Sequence, residues 1–89
     1  DALQTPKTYP INFDVLRQRV SKGVAVTTDE VAAAMRLVFE KLHLVAEPGG
    51  AVALAAVVAG KVEVKGVTAV TLSGGNVDAE MFTKMISNR

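Results

Sequence analysis

The chain has 89 residues, a formal net charge of +1 and a hydrophobic fraction of 49%. A chain this short makes one small domain or part of one, and its high apolar fraction indicates faces that pack against further protein. It has no basic tract, no cysteine and no apolar run of membrane-spanning length, so we expect no nucleic-acid partner, no disulfide and no membrane segment.

The N-terminal half of the chain predicts two helices and one short strand. After an irregular start, a helix is expected from Asn12 to Val20 with Asn12 as its cap, and a buried strand at residues 24–26. Thr27 and Glu30 have the spacing of a capping box, with Thr28 as an alternative cap of the second helix. The buried stripe predicted for that helix comprises Val31, Met35, Val38, Phe39 and Leu42.

The C-terminal half predicts two more helices with a strand between them. Pro48 suits a first helical turn with Glu47 as the cap, and the helix from Ala51 to Ala59 is apolar all round, which is typical of a helix surrounded by protein. A strand buried on both faces is expected at residues 67–72. The final helix should begin near Val77, and its predicted buried residues are Val77, Met81, Met85 and Ile86.

These elements predict an α/β fold with a three-layer αβα architecture. About four helices accompany only two short strands, and two buried strands make a poor sheet by themselves. Their natural place is in a larger, mostly parallel sheet. We therefore expect the chain to be a fragment of such a fold or a domain that needs a partner.

The sequence "SGGN" at residues 73–76 stands where a ligand of an open α/β sheet would lie, after a predicted strand and before a helix. A phosphate could bind at the helix N-terminus, or the Ser73 hydroxyl could make a hydrogen bond to a buried heterocycle. The third interpretation is a local turn in which Asn76 or Asp78 caps the helix. From these four residues alone the local turn is favoured, because the pattern is short.

Two motifs in fixed order resemble a known family. "EPGGAVALAAVVAGK" followed by "VTLSGGNVD" closely resembles the C-terminal part of the serine/threonine dehydratases, which are pyridoxal-phosphate enzymes of the tryptophan synthase β-like fold, related to serine racemase. The earlier stretch "VTTDEVAAAMRLVFEKLHLVAEP" is similar to a helix of the same family. The likeness covers nearly the whole chain, so residues 1–89 are expected to be the C-terminal portion of such a catalytic domain.

The resemblance implies roles for four residues. In that family the serine of "SGGN" hydrogen-bonds the pyridine nitrogen of pyridoxal 5'-phosphate, and Ser73 holds that position, with Gly74 in the turn beside the ring. Glu47 matches a glutamate near the cofactor pocket, although a helix cap is an equal alternative. Asn76 matches an asparagine that in the racemase branch lies near a nucleotide-binding interface, and capping is the competing interpretation.

The resemblance also implies what lies outside these residues. The family's Schiff-base lysine, phosphate-binding loop and divalent-cation ligands belong to its N-terminal part, so no catalytic residue and no metal ligand is assigned here. The intact enzyme would be cytoplasmic and homo-oligomeric, and would convert L-threonine or L-serine to a 2-oxo acid and ammonia. A serine racemase or a 3-hydroxyaspartate dehydratase is the alternative within the family. Outside it, the alternatives are a small phosphate-binding α/β module or a non-catalytic assembly piece.

Three polar residues suggest catalysis but have simpler explanations. His43 lies off the apolar stripe near the end of its helix, where a solvated position is expected. Asp29 and Glu30 look like a carboxylate pair for acid–base chemistry. In the first turn of a helix, however, acidic residues typically stabilise the helix dipole and cap the chain.

Overall fold

The computed structural model describes residues 6–87, and its regular structure consists of helices. They are α1 (Pro10–Arg19), α2 (Thr28–Leu37) with a π-helical continuation (Val38–Leu42), a 3₁₀ turn (Gly49–Ala51) that leads into α3 (Val52–Val58), and α4 (Ala79–Ser87). Among the described residues, none of these helices is both long enough and apolar enough to cross a membrane.

Helix α2 begins at the capping box that the sequence predicts. The Glu30 backbone N–H donates to the Thr27 hydroxyl at 3.1 Å, and the Thr27 backbone N–H donates to Glu30 Oε1 at 2.7 Å. Thr27 is therefore the cap and Thr28 is the first helical residue. The reciprocal bonds satisfy two backbone donors that the helix itself leaves without partners.

The core lies where α2 packs against α3 and α4. Of the predicted stripe, Val31, Met35 and Val38 are buried, whereas Phe39 and Leu42 are 41% and 59% exposed. The helix changes to π-helical geometry at Val38, and the wider turn rotates the following side chains away from the stripe. The cluster of buried side chains comprises Val31, Ala34, Met35, Val38, Ala46, Ala51, Ala55 and Phe82.

Helix α3 is shorter and less enclosed than the sequence predicts. It buries Ala55 and Ala56 against the core, while Val58 on its other side is 47% exposed. The small alanine side chains allow α2 to approach closely. The sequence predicts a helix with protein on all sides, whereas within residues 6–87 one side of α3 remains exposed.

Helix α4 buries Phe82, which was not predicted, while three of the four predicted residues, Val77, Met85 and Ile86, are partly buried against the core. Phe82 is its buried residue, and the Phe82 ring meets the edge of Phe39 with 5.3 Å between ring centroids. Met81, predicted to be buried, is 41% exposed, and Val77 precedes the helix.

Two cationic side chains connect these helices through hydrogen bonds and an ion pair. The Arg36 Nε donates to the Ile86 carbonyl at 2.8 Å, which links α2 to the end of α4. The Lys61 ammonium donates to the Ala25 carbonyl and lies against Glu30 Oε1, both at 2.9 Å. Lys61 therefore joins the end of α3, the segment before α2 and the capping box.

The two predicted strands are not confirmed. Within residues 6–87, neither residues 24–26 nor residues 67–72 have strand geometry with a paired neighbour, and Val67 is fully exposed. A strand requires hydrogen bonds to another strand, and these two segments do not pair with each other. The three-layer αβα architecture is therefore absent from the described residues, and the layers present are helical.

Helix α1 departs from its prediction in bounds and packing. It begins at Pro10, with Tyr9 rather than Asn12 before the first turn, and none of its residues is buried. The proline suits that first turn because it has no N–H to leave unsatisfied. Phe13, Leu16 and Val20, predicted to form one apolar face, are about half exposed.

Candidate functional site

The two family-like motifs lie against each other in the structure. The Glu47 backbone N–H donates to the Gly74 carbonyl at 2.9 Å, and the Ser73 backbone N–H donates to the Gly50 carbonyl at 3.3 Å. Residues 45–50 and 73–75 are thus joined by backbone hydrogen bonds across more than twenty residues of sequence. We call this contact the motif junction, and it contains three of the four predicted site residues.

The motif junction has no room for a side chain at three glycines, and at Gly75 an added Cβ would lie 2.5 Å from the Val45 carbonyl oxygen. A Cβ added at Gly50 would lie 2.6 Å from the Gly74 carbonyl oxygen and 2.7 Å from the Gly74 nitrogen. A Cβ added at Gly74 would collide with Glu47 Oε1. At Gly50 the backbones themselves are in contact, and only glycine permits that approach, whereas at Gly74 the neighbouring atoms belong to the Glu47 side chain. The family resemblance predicts Gly74 in the site, whereas no feature of the sequence indicates the contact made by Gly50.

Ser73 is held in the junction by its backbone and is exposed at its side chain. Its N–H bonds the buried Gly50, whereas the hydroxyl has no hydrogen-bond partner within residues 6–87. A serine hydroxyl can donate one hydrogen bond and accept two. The arrangement leaves a fixed backbone with a free neutral donor, which is what a single hydrogen bond to a heterocyclic nitrogen requires.

Glu47 lies in the junction but does not cap a helix with its side chain. The 3₁₀ turn before α3 has no side-chain cap, and the backbone carbonyl of Glu47 accepts from the Gly50 N–H at 3.0 Å. The half-buried carboxylate instead lies beside Gly74. The structure therefore excludes a side-chain cap by Glu47. A role for Glu47 near the cofactor pocket stays a prediction.

Asn76 occupies a tight turn next to the junction. The Val77 N–H donates to the Gly75 carbonyl at 2.9 Å around it, and the Asn76 side chain is exposed. The cap of α4 is Asp78, whose Oδ1 accepts from the Met81 N–H at 2.8 Å. Capping is thus done by Asp78, and the nucleotide-interface role of Asn76 stays a prediction.

The Asp78 cap also bears on phosphate binding at "SGGN". A phosphate at the start of α4 would have to share that N-terminus with a carboxylate that already accepts one of its N–H groups. Two negative groups at one helix end repel each other. The geometry therefore disfavours the phosphate-binding interpretation of this motif.

The other polar candidates have structural roles. His43 is exposed and adopts a left-handed conformation with φ of 58°, which ends the π-helical segment. Glu30 is engaged by Thr27 and Lys61 in the capping box. Across residues 6–87, no group of three or more acidic, histidine or cysteine side chains could hold a metal ion.

Comparison with known proteins gives one family match. Residues 1–74 match the model of a family described as "Pyridoxal-phosphate dependent enzyme". Similar curated proteins include a phenylserine dehydratase of Ralstonia pickettii, 42% identical over 86 residues, and an L-threonine ammonia-lyase of Thermotoga maritima, 36% identical over 88 residues. A serine racemase of Dictyostelium discoideum is 32% identical over 81 residues.

These matches cover most of this chain but a minor part of each relative. The three alignments span 94%, 98% and 86% of the chain and 26%, 22% and 25% of the respective relatives. The chain thus spans about a quarter of the length of the curated relatives it matches. No solved structure matches it.

Proposed function

Because this chain belongs to the family of pyridoxal-phosphate dependent enzymes, we propose that it forms the C-terminal portion of the catalytic domain of a threonine/serine ammonia-lyase. Its cofactor is pyridoxal 5'-phosphate, and the family has an α/β fold. In the intact protein, these residues would supply one wall of the cofactor pocket, with Ser73 facing the pyridine nitrogen.

The observation that carries the proposal is the motif junction. It fixes the backbone of Ser73 through Gly50 and leaves the exposed hydroxyl without a partner among the described residues. A heterocyclic nitrogen can reach this hydroxyl because the Ser73 side chain is exposed, and a serine hydroxyl is a neutral hydrogen-bond donor. The residues present therefore fit the pyridine edge of the cofactor.

A neutral donor at that position has a chemical consequence. When bound, pyridoxal phosphate supplies an electron sink for bond cleavage at the substrate's α-carbon. The Ser73 hydroxyl donates to an unprotonated ring nitrogen, whereas a carboxylate there would stabilise its protonated form. The ring nitrogen then stays neutral and the sink is weaker. This property suits β-elimination of a hydroxyl better than reactions that need a long-lived carbanion.

The names of the relatives support elimination from a β-hydroxy amino acid. Two are L-threonine ammonia-lyases, one is a phenylserine dehydratase and two are L-threo-3-hydroxyaspartate ammonia-lyases. We propose that the intact enzyme removes water from L-threonine or L-serine and that the resulting enamine hydrolyses to a 2-oxo acid and ammonia. Two further relatives are serine racemases, so D-serine formation is the second candidate activity.

The proposed partners follow from the uncovered surfaces. Helix α1 buries none of its residues, and no strand among residues 6–87 lies beside the segment at 67–72. We propose that the remainder of the same catalytic domain covers both, with residues 67–72 forming a strand of its sheet. A homo-oligomeric state and a cytoplasmic location are proposed on the family resemblance alone.

The test replaces the Ser73 hydroxyl in the full-length enzyme. Ser73→Ala should lower turnover of L-threonine or L-serine about tenfold, because one hydrogen bond to the reacting system is worth on the order of 1.4 kcal/mol. The visible absorption of bound cofactor should persist. Ser21→Ala, which changes an exposed serine far along the chain from both motifs, is the matched control and should leave turnover unchanged.

Two results would contradict the proposal. Wild-type turnover in Ser73→Ala would remove the role given to the hydroxyl. Formation of D-serine from L-serine in excess of 2-oxo acid and ammonia would favour the racemase instead, so both products should be quantified in the same assay.

A further inference from the structure

We infer that Gly50 is a positioning residue for Ser73: its lack of a side chain lets the "SGGN" loop dock on the first turn before α3 and so sets where the hydroxyl lies. The inference rests on the proposed function, since it assumes that Ser73 meets the pyridine nitrogen. Gly50 touches neither cofactor nor substrate in this account, and it acts only through the loop.

The structure leaves no room for a side chain at Gly50. This residue is buried, and a Cβ there would lie 2.6 Å and 2.7 Å from the carbonyl oxygen and nitrogen of Gly74. Ordinary van der Waals contact of a Cβ begins near 3.4 Å. The atoms in the way belong to the backbone and cannot rotate aside, so an alanine would push the loop away by roughly 1 Å.

That displacement acts on Ser73 directly. The Ser73 N–H already reaches the Gly50 carbonyl at 3.3 Å, near the limit of a hydrogen bond, so a further shift of this size breaks it. Ser73 is the next residue to Gly74 in the chain and would move with it. A misplacement of about 1 Å is enough to lose a directional contact to a bound ring.

The local sequence is consistent with this requirement. Gly50 lies within the 3₁₀ turn that leads into α3, and glycine is a poorer helix former than alanine. Helix propensity alone would therefore favour alanine at this position. The contact with Gly74 supplies the reason for glycine.

The experiment is a double-mutant cycle on the full-length protein, with pyridoxal-phosphate affinity of the cofactor-free form as the readout. Gly50→Ala and Ser73→Ala should each weaken cofactor binding about fivefold, the value of one hydrogen bond. If Gly50 acts through Ser73, the double variant should also bind about fivefold more weakly, rather than about 25-fold. Gly23→Ala is the matched control, because a Cβ at Gly23 meets nothing within 4 Å.

The outcomes separate the inference from the proposed function. If the double variant binds the cofactor about 25-fold more weakly than wild type, the two substitutions act independently. That result would overturn the positioning role of Gly50 and would leave the proposed role of the Ser73 hydroxyl intact. If Ser73→Ala alone changes neither affinity nor turnover, the proposed function fails first. Affinity equal to wild type in Gly50→Ala would likewise overturn the inference.

A measurement on the wild-type protein covers the case in which Gly50→Ala does not fold. Amide hydrogen exchange at Ser73 should be at least about tenfold slower than at Asn76, because the Ser73 N–H is held by the Gly50 carbonyl. Exchange at equal rates would show that the loop is not docked on Gly50 and would overturn the inference without any variant.

Discussion

At the scale of single residues, Glu30 shows how a surface carboxylate can be held in its charged form. The hydrogen bond from the Thr27 backbone N–H, followed by the contact with Lys61, lowers the pKa of Glu30 below its ordinary value of 4.5. A carboxyl group with a lowered pKa stabilises the folded protein above its unfolded-state pKa. That contribution is lost as the pH falls through the folded-state value, which lies below 4.5.

We therefore expect the difference in thermal midpoint between wild type and Glu30→Gln to depend on pH. Wild type should be the more stable of the two near about pH 6, and the difference should shrink towards about pH 3 as Glu30 becomes neutral. Glutamine keeps the length and hydrogen-bonding capacity of a capping box but cannot ionise. The same difference at both pH values would show that the charge of Glu30 does not contribute.

Lys61→Gln provides a second variant for this measurement. It removes the ammonium that lies 2.9 Å from Glu30 Oε1 but leaves the Thr27 bond, which is the larger cause of the lowered pKa. In this background the pH dependence due to Glu30 should become smaller without vanishing. An unchanged dependence would assign the whole effect to the capping box.

At the scale of elements, the core contact of α4 gives the clearest test of packing. Phe82 is 9% exposed and meets Phe39, whereas Met81 beside it is 41% exposed. Phe82→Ala should lower the free energy of unfolding by about 3 kcal/mol or more, because it removes a buried ring and leaves a cavity. Met81→Ala is the comparison variant and should cost less than half as much. Chemical denaturation of both variants measures the difference, and equal costs would mean that α4 buries another face.

The capping box and the α2 stripe show which features of the fold follow from sequence. Thr27 and Glu30 interact across one helical turn, so their spacing alone predicts the cap. Val31, Met35 and Val38 follow the helical period and are buried as predicted. Phe39 departs from the helical period because a π-helical turn begins at Val38. No residue type in this stretch predicts that turn.

The strands and the candidate site mark the limit of what the sequence predicts. Residues 67–72 have strand composition, but a strand forms only beside another, and the described residues supply none. The family resemblance predicts that Ser73, Gly74 and Glu47 belong to one site, and the structure brings these three residues together. Gly50 was missed because its importance depends on a contact with a residue 24 positions later, which local patterns do not reveal.

At the scale of the whole molecule, the chain carries more apolar surface than a self-sufficient domain. The large hydrophobic residues that are more than half exposed include Tyr9, Ile11, Phe13, Val15, Val20, Leu42 and Val67. A soluble monomer rarely leaves such surface uncovered unless it binds another protein surface. The high apolar fraction of the sequence and the exposure in the structure therefore indicate the same need for further protein.

The isolated 89-residue chain should accordingly associate with itself. We expect its sedimentation behaviour to change with concentration and its surface to bind a hydrophobic fluorescent dye strongly. The full-length protein is the control and should bind much less dye per molecule, because we propose that the remainder of its domain covers these residues. A monomeric isolated chain with little dye binding would contradict the proposed covering of α1 and residues 67–72.

The motif junction also bears on how this part of the protein tolerates changes in length. The chain leaves the junction at Gly50, passes through α3, and returns to the same contact at Ser73. The two ends of the intervening segment are therefore held together by the junction. The exposed connector after Gly60 contains Gly66, which has a positive φ of 68° and open space around it. Doubling the length of a flexible loop raises the free energy of closing it by only about 0.6 kcal/mol. Residues inserted in the connector would therefore lengthen this segment while its two ends keep their contact at the junction. Evolution and protein engineering can therefore vary the connector while leaving the serine in place.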